Sequence, residues 1–560
     1  MKSILIGLTL LLIQVHLFAQ KKEQASEAVV TYGFRENGKE TQGEQKIFVK
    51  GSQSRLASQG SSAKQQQYLQ AEEKSSYQVL NSKGITYTYK KPFSEAIQVE
   101  LLTGTDTILG ILCKKAKLFI RSNTIEVWYT NDLIIKGTPN LSVGPGLGLI
   151  LKIIRNGNSE TFAKNIIYRK VTDQELSWPK TWGTMLDESN YQRQVIESRY
   201  TTLTIFNDEQ LSFGNKIENP AGEQSDVTYH FSGGTIILKK VKLPAVKPGQ
   251  SLFAELVQHS NGDAYDRTGS VFMIPTDKSI SFLNALKSGL QTLPVYAARN
   301  GKKYQGVTAT DNYLPPLELM RFFTSFGVKH FNAQAKIKGY NWADSVIYKQ
   351  DISLLLPRLQ GEVWIGVFIG NYDKGGHMAS LHFKYYDGEE PDTKPKTKTW
   401  TMPIFNTTNL MEMSGQEYGT MFDQDSLAVT VDIPSGVKNL KLRYLTTGHG
   451  GWEGGDEFVP KMNEVFLDGK RVYHFIPWRE DCATYRLLNP ASGNFPNGLS
   501  SSDLSRSNWC PGTLTLPVEI PLPELKPGKH TLQIAIPLGK PEGGSFSAWN
   551  VSGVLIGDQI

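Results

Sequence analysis

Val363-Trp364-Ile365-Gly366-Val367-Phe368-Ile369 is a run of β-branched and aromatic side chains bounded by Gly361 on one side and Gly370-Asn371 on the other. Such a run is too short for a helix of ordinary length and is flanked by turn formers, so it reads as a buried strand. The same texture recurs outward from it. Thr228-Tyr229-His230-Phe231-Ser232, Gly234-Thr235-Ile236-Ile237-Leu238 and Leu440-Lys441-Leu442-Arg443-Tyr444-Leu445 are further short alternating or β-branched runs separated by Gly, Pro, Asn and Asp. Period-two alternation punctuated this often predicts half-buried strands packed as sandwiches or barrels. Helical windows are few, and Phe282 to Leu293 is the best of them.

A chain of 560 residues with 39% hydrophobic and 20% charged side chains is neither disordered, collagen-like nor a long coiled coil. At about 150 residues per domain it has room for roughly three to four domains. The 60 basic and 54 acidic side chains nearly balance and form no concentrated basic stripe, which argues against nucleic acid as a partner. Three Cys exclude a disulfide-rich scaffold and most multi-Cys metal sites.

Met1-Lys2, the apolar run from Ile4 to Phe18 and then Ala19-Gln20-Lys21-Lys22 have the form of a secretory signal cleaved near Ala19. Gln14 and His16 interrupt the run, which is short of the about 20 residues a membrane span needs. No Cys near its end offers a lipid anchor, and no later segment is apolar enough to span. The mature chain is therefore expected in the periplasm or outside the cell, where disulfides persist.

Polarity places the boundaries. After the signal (1–19), a β-rich unit covers 25–172, and a charged, Trp-dotted stretch over 173–199 reads as a linker. A second β unit covers 200–388, and a third covers 396–560. Between them Asp387-Gly388-Glu389-Glu390-Pro391-Asp392 and the Lys/Thr run after it look like a solvated connection.

Several motifs carry little chemistry. Val143-Gly144-Pro145-Gly146-Leu147-Gly148 lacks the Gly-Lys-Ser/Thr of a phosphate loop and leads into a strand-like run, so it reads as a tight turn. Together with Trp128-Tyr129-Thr130-Asn131-Asp132 it resembles the GLPGLI family, exported β-rich proteins without an assigned activity. The nine His are spaced for no common metal site: His377 and His382 are five apart, and His449 stands in Thr446-Thr447-Gly448-His449-Gly450. No metal or cofactor is expected. No Gly-x-Ser-x-Gly elbow is present. Cys482 and Cys510 flank a polar loop that a disulfide could close, a nucleophilic Cys being the alternative, while Cys113 is expected buried and free.

Carboxylates in polar turns before strands stand out. Asp263-Ala264-Tyr265-Asp266-Arg267 precedes one strand, and Trp452-Glu453-Gly454-Gly455-Asp456-Glu457-Phe458 another. Arg506-Ser507-Asn508-Trp509-Cys510 ends the presumed disulfide loop. Singly these are ordinary solvated turns. Together they offer carboxylates, Arg and Trp faces, which suit a sugar-bearing substrate.

In this order and spacing, with Gly448-His449-Gly450, Glu318-Leu319-Met320-Arg321-Phe322-Phe323-Thr324 and the Val363–Ile369 run, the motifs resemble the peptide-N-glycosidase F family over about residues 200–560. The resemblance implies an all-β fold of two adjacent antiparallel jelly-roll sandwiches, preceded here by the separate β-rich N-terminal domain. It implies an amidase that hydrolyses the glycosylated Asn side chain of N-glycoproteins, leaving Asp and a glycosylamine, with no cofactor and acting as a monomer. By the same likeness Asp266 and Glu457 are catalytic, and Arg267, Arg506, Trp509, His449, Trp452, Tyr372 and Asn371 bind substrate. Cys482 and Cys510 match a family disulfide.

One departure is plain. The family's third active-site Glu, two residues before a Trp, is Gly370 here, with Tyr372 at the Trp position. The family's other Cys pair, just before the catalytic Asp, is missing as well. The sugar pocket is therefore expected to differ in shape, and the alternative reading is a glycan-binding protein on the same scaffold without turnover.

Overall fold

The computed structural model describes residues 25–57, 64–215, 217–247, 249–299, 301–327, 336, 338–387, 398–416, 421–422, 426–450, 455–490, 500–523, 525–538 and 547–559. The expected leader, the cleavage expected near Ala19, and Trp452 lie outside them. The chain is mostly β and divides into two compact units, Met1–Arg199 and Tyr200–Ile560. Among the described residues no helix is long and apolar enough to cross a membrane.

The first unit is built on a 12-stranded sheet. Its central strand Glu27–Glu36 pairs antiparallel with Lys39–Lys50 on one side and with Ser159–Tyr168 on the other. From there the chain meanders outward through tight turns to Ile85–Pro92 in one direction and to Glu100–Ile108 in the other. The Gly-rich 143–148 segment is a turn leading into the strand Leu149–Arg155. A Cβ on Gly148, which has φ of 102°, would strike the Thr130 carbonyl oxygen at 2.3 Å, so only glycine fits there.

Residues 173–199, expected to be a linker, are instead packed into this unit. Thr172 and Glu175 close a capping box over the helix Asp173–Leu176. Trp182 stacks on Tyr77 with ring centres 4.1 Å apart, and Trp178 meets Tyr68 edge-on at 5.3 Å. The strand Thr184–Leu186 adds parallel to Tyr87–Tyr89 at the sheet edge. Tyr191 and Val195, four apart on the helix Glu188–Glu197, bury against Leu80 and Tyr89. The two Trp that mark the stretch are thus partly buried side chains packed against the first unit's core.

In the second unit the first half pairs two sheets. One holds Tyr200–Leu211, His377–Tyr386, Ser251–Ser260 and Val346–Asp351. The other holds Thr228–Phe231, Ile236–Leu243, Gly361–Ile369, Thr268–Ile274, Leu317–Phe323 and Leu514–Thr515. Ser251–Ser260 and His377–Tyr386 bury every second residue, as their alternation predicts. Leu252, Ala254 and Leu256 meet Ile237, Val271, Ile365 and Val367 in the core. Within the decisive run, a Cβ on Gly366 would lie 2.4 Å from the Phe272 ring, so the glycine makes room for that ring. Phe282–Ser288 is helical, within the window singled out for it.

The second half has two four-stranded sheets. Lys398–Asn406, Ala548–Gln559, Val437–His449 and Val518–Pro521 form one. Leu427–Ile433, Gly528–Ala535, Asn463–Leu467 and Lys470–Phe475 form the other, over a core that includes Val431, Leu442, Val465 and Ile534.

The halves are stitched together at the strand Leu317–Phe323, which is buried along its whole length. Leu514–Thr515, from the second half, pairs with Arg321 and Phe322. Arg321 bridges Glu318 at 2.7 Å and donates to the Asn550 carbonyl at 2.6 Å and to Thr408 Oγ1 at 3.0 Å. Arg443 donates from the second half to the Glu318 and Leu319 carbonyls, each at 3.1 Å. A buried ion pair with its donors satisfied this fully favours one register of the halves over slipped ones, since any slip would strand a charge.

Candidate active site

The site forms where two turns, one from each half, face each other. In the first half Asp263 shapes its own turn. Its carboxylate accepts from the Tyr265 N–H at 3.2 Å and from Arg267 through Nε at 2.7 Å and Nη2 at 3.2 Å. His377 Nε2 lies 3.3 Å from the same carboxylate, while its Nδ1 lies 2.9 Å from Gln258 Nε2. Gln258 can only donate through that nitrogen, so His377 is the neutral tautomer with its proton on Nε2, donated to Asp263. Burial, opposed by Asp263, lowers the His377 pKa and agrees with that state. Burial alone would raise the Asp263 carboxyl, but the hydrogen bonds from His377 and Arg267 outweigh it and bring it down to about 2. Thr324 then pins the turn to the end of the strand Leu317–Phe323. Its Oγ1 accepts the Arg267 N–H at 2.7 Å, and its own N–H bonds the Arg267 carbonyl at 2.9 Å. Asp266, between Tyr265 and Arg267, faces the second half.

There Gly448 lets three segments converge. A Cβ on it would lie 2.8 Å from both Ser507 and the Trp549 ring and 2.9 Å from the Asp456 carbonyl. The Ser507 N–H bonds the Glu457 carbonyl at 3.0 Å, and the Gly448 N–H bonds the Ser507 carbonyl at 3.1 Å. Asp456 is buried and accepts the Trp549 indole N–H at 2.7 Å, which anchors the turn carrying Glu457. Cys482 and Cys510 are joined in a disulfide with Cα atoms 5.2 Å apart, beside Trp509. Cys113 is buried and unpaired.

Arg506 joins the two carboxylates. Its Nη1 pairs with Glu457 in a close hydrogen bond and with Asp266 at 3.3 Å. Nη2 donates to the Ser501 carbonyl at 2.7 Å, and the guanidinium lies 4.3 Å from the Trp509 ring centre. The Arg506 side chain is 1% exposed, against 14% for Asp266 and 18% for Glu457, so the carboxylates are what an entering ligand meets. Burial raises Asp266 to about 6 against the pull of Arg506. Burial likewise raises Glu457 to about 7, with Arg506 opposing and Asp266 adding to the rise. Two carboxylates of staggered, elevated pKa can hold one proton between them near neutrality.

The other expected residues divide. His449 lies 5.6 Å from the Trp509 ring, with Nε2 2.8 Å from Thr447 Oγ1. Burial, then Arg321 and Arg506, press its pKa down to about 3, so it is neutral. Trp509 was expected at the substrate but is buried: it stacks on Phe323 at 4.2 Å, and its indole N–H is spent on the Gly448 carbonyl at 2.9 Å. It is a platform under Arg506. Asn371 is also fully buried, its amide used within its own turn on the Ile369 carbonyl at 3.0 Å and the Asp373 N–H at 3.2 Å. Arg267 makes its ion pair with Asp263 rather than Asp266 and lies over Tyr372 at 5.2 Å. Asp263, His377, Thr324 and Asp456 have supporting roles that sequence reasoning did not assign. Only Asp263, four residues before Arg267, leaves a local trace of its partner.

Residues 202–385 match the family model for peptide-N-glycosidase F, N terminal, and residues 417–556 the one for peptide-N-glycosidase F, C terminal. Residues 30–193 match the model for N-glycanase peptide, N-terminal domain, in the region where a GLPGLI-like domain was expected. The chain is 45% identical to the PNGF-II structure in space group C2, over 96% of this chain and 99% of that one, with a TM-score of 0.80. The chain belongs to the peptide-N-glycosidase F family. The PNGF-II structure in space group P21 is 44% identical, over 96% of this chain and 100% of that one, with a TM-score of 0.82. PNGase F itself, a glycosylasparaginase from Flavobacterium meningosepticum, is 14% identical over 64% of this chain and 96% of that one, with a TM-score of 0.42. No curated protein sequence matches the chain.

Proposed function

We propose that this family member is an exported amidase that hydrolyses the glycosylated Asn side-chain amide of N-glycoproteins. The observation that carries the proposal is the single buried guanidinium of Arg506 held between Asp266 and Glu457. In this reading ionised Asp266 takes a proton from water, whose oxygen adds to the amide carbon. Arg506 offsets the negative charge that develops. Glu457, whose higher pKa keeps it the protonated partner near neutrality, gives its proton to the leaving nitrogen as the C–N bond breaks. The products are an Asp side chain and a glycosylamine, and proton return between the carboxylates resets the pair. His449, held neutral, carries no proton in this scheme. The Cys482–Cys510 bridge supports an oxidising compartment and hence export.

The test is mass spectrometry of a defined N-glycopeptide incubated in heavy-oxygen water. Conversion of the glycosylated Asn to labelled Asp, lost in Asp266→Asn, is the expected result. A peptide left with one sugar would mean glycosidic cleavage instead. A peptide bound but unchanged would leave only the glycan-binding reading.

A further inference from the structure

Gly370 ends the strand Gly361–Ile369 next to the catalytic turn, its N–H bonded to the Thr268 carbonyl at 3.0 Å. A Cβ there would stand 3.8 Å from Oε2 of Glu412, a residue that arrives from the other half of the unit. Glu412 begins the short 3-10 turn Glu412–Ser414, and that turn is anchored. Leu410 and Met411 just before it are buried with Phe272 and Phe368 of the first half. The Ser414 hydroxyl meets that of Ser232 at 3.3 Å, and the Met411 N–H bonds Gln416 Oε1 at 3.0 Å. Glu412 Oε1 accepts the Tyr372 hydroxyl at 3.0 Å.

Tyr372 in turn carries the Arg267 guanidinium at 5.2 Å, and Tyr265 meets the same guanidinium at 4.9 Å. Tyr265, Arg267, Tyr372 and Glu412 therefore form a continuous wall beside Asp266. The two tyrosines are 58% and 55% exposed, large open aromatic surfaces at the mouth of the site. Among the described residues Glu412 Oε2 accepts no hydrogen bond, and it faces the space that Gly370 leaves without a side chain. A carboxylate held by one oxygen and presenting the other is an acceptor waiting for donors. Paired hydroxyls supply such donors, and exposed aromatic rings suit the apolar faces of a pyranose.

We propose that Glu412 is a specificity-determining residue of this site, oriented by Tyr372 to accept hydroxyl groups of the first two sugars of the glycan. The inference rests on the amidase reading for its ligand, and its test separates the two. Free β1,4-linked N-acetylglucosamine disaccharide is titrated calorimetrically into wild type, Glu412→Ala and Tyr372→Phe, a readout that needs no turnover. Steady-state kinetics on a core-glycan peptide are measured beside it.

Glu412→Ala is expected to weaken disaccharide binding about 10-fold, the scale of one charge-assisted hydrogen bond, and to raise KM similarly with kcat changed by less than about 2-fold. Tyr372→Phe should fall between. Glu412 lies on the surface, so the thermal midpoint should not move. Equal disaccharide affinity and equal KM in wild type and Glu412→Ala would overturn the assignment while leaving the amidase reading intact. Wild type that binds the disaccharide through Glu412 but hydrolyses nothing would sink the amidase reading alone.

Discussion

Replacing Glu457 by Gln keeps the side chain's shape and an acceptor oxygen toward Arg506, but removes the titrating proton. The folded protein raises the Glu457 pKa from 4.5 to about 7. Between those values the folded state binds more protons than the unfolded state, so stability falls as pH rises through this window. The deficit is complete above pH 7 and absent below about pH 4.5. At 1.36 kcal/mol per unit, the shift corresponds to about 3–3.5 kcal/mol lost at pH 8, and Gln escapes that loss. For a unit of roughly 360 residues the unfolding entropy converts 1 kcal/mol to a little over 1 °C, so Glu457→Gln should melt about 4–5 °C above wild type at pH 8. The gap should close as pH falls to 4.5. Differential scanning calorimetry from pH 4.5 to 9 measures it. Turnover by the same variant should fall by about 10²- to 10⁴-fold, because the proton donor is gone. A gap that does not change with pH, or a wild type that is the more stable at pH 8, would refute the claim that burial of Glu457 sets its charge state. A variant at once more stable and inactive would show the site storing free energy for chemistry.

Three further outcomes follow from the same structure. Removing the Cys482–Cys510 bridge, which closes a separation of 28 residues, should cost about 3–4 kcal/mol in chemical denaturation, whereas Cys113→Ala should show no sensitivity to reductant beyond that of wild type. Gly366→Ala should lower the urea midpoint by an amount worth about 1–3 kcal/mol, because its Cβ would meet the Phe272 ring at 2.4 Å; an unchanged midpoint would show that the ring can move aside. His377→Phe should destabilise by about 1–3 kcal/mol by taking a donor from buried Asp263. Because burial lowers the His377 pKa, only the unfolded chain gains that proton as pH falls from 8 to 6.5, so the cost should shrink slightly toward pH 6.5, and a cost that grew instead would mean the folded ring is charged.

How much of this protein was legible in its sequence follows from how local each signal is. Strand alternation is written in neighbouring residues, so Ser251–Ser260, the Val363–Ile369 run and the helix at Phe282 could be read directly. The linker reading of 173–199 failed because Trp178 and Trp182 find their partners Tyr68 and Tyr77 about a hundred residues away in sequence, and no local pattern announces them.

The family resemblance carried by the order and spacing of short motifs singled out Asp266, Glu457 and Arg506, and the Cys pair could be read from its loop and compartment. Only the tertiary structure brought two turns from different halves onto one guanidinium, and only burial there decides which carboxylate keeps its proton. It also turned Trp509 and Asn371 from surface binders into buried supports. It gave His377, otherwise an isolated strand residue, a partner in Asp263. Side-chain chemistry belongs to the residue, whereas its pKa, its exposure and its partner belong to whatever the fold places around it.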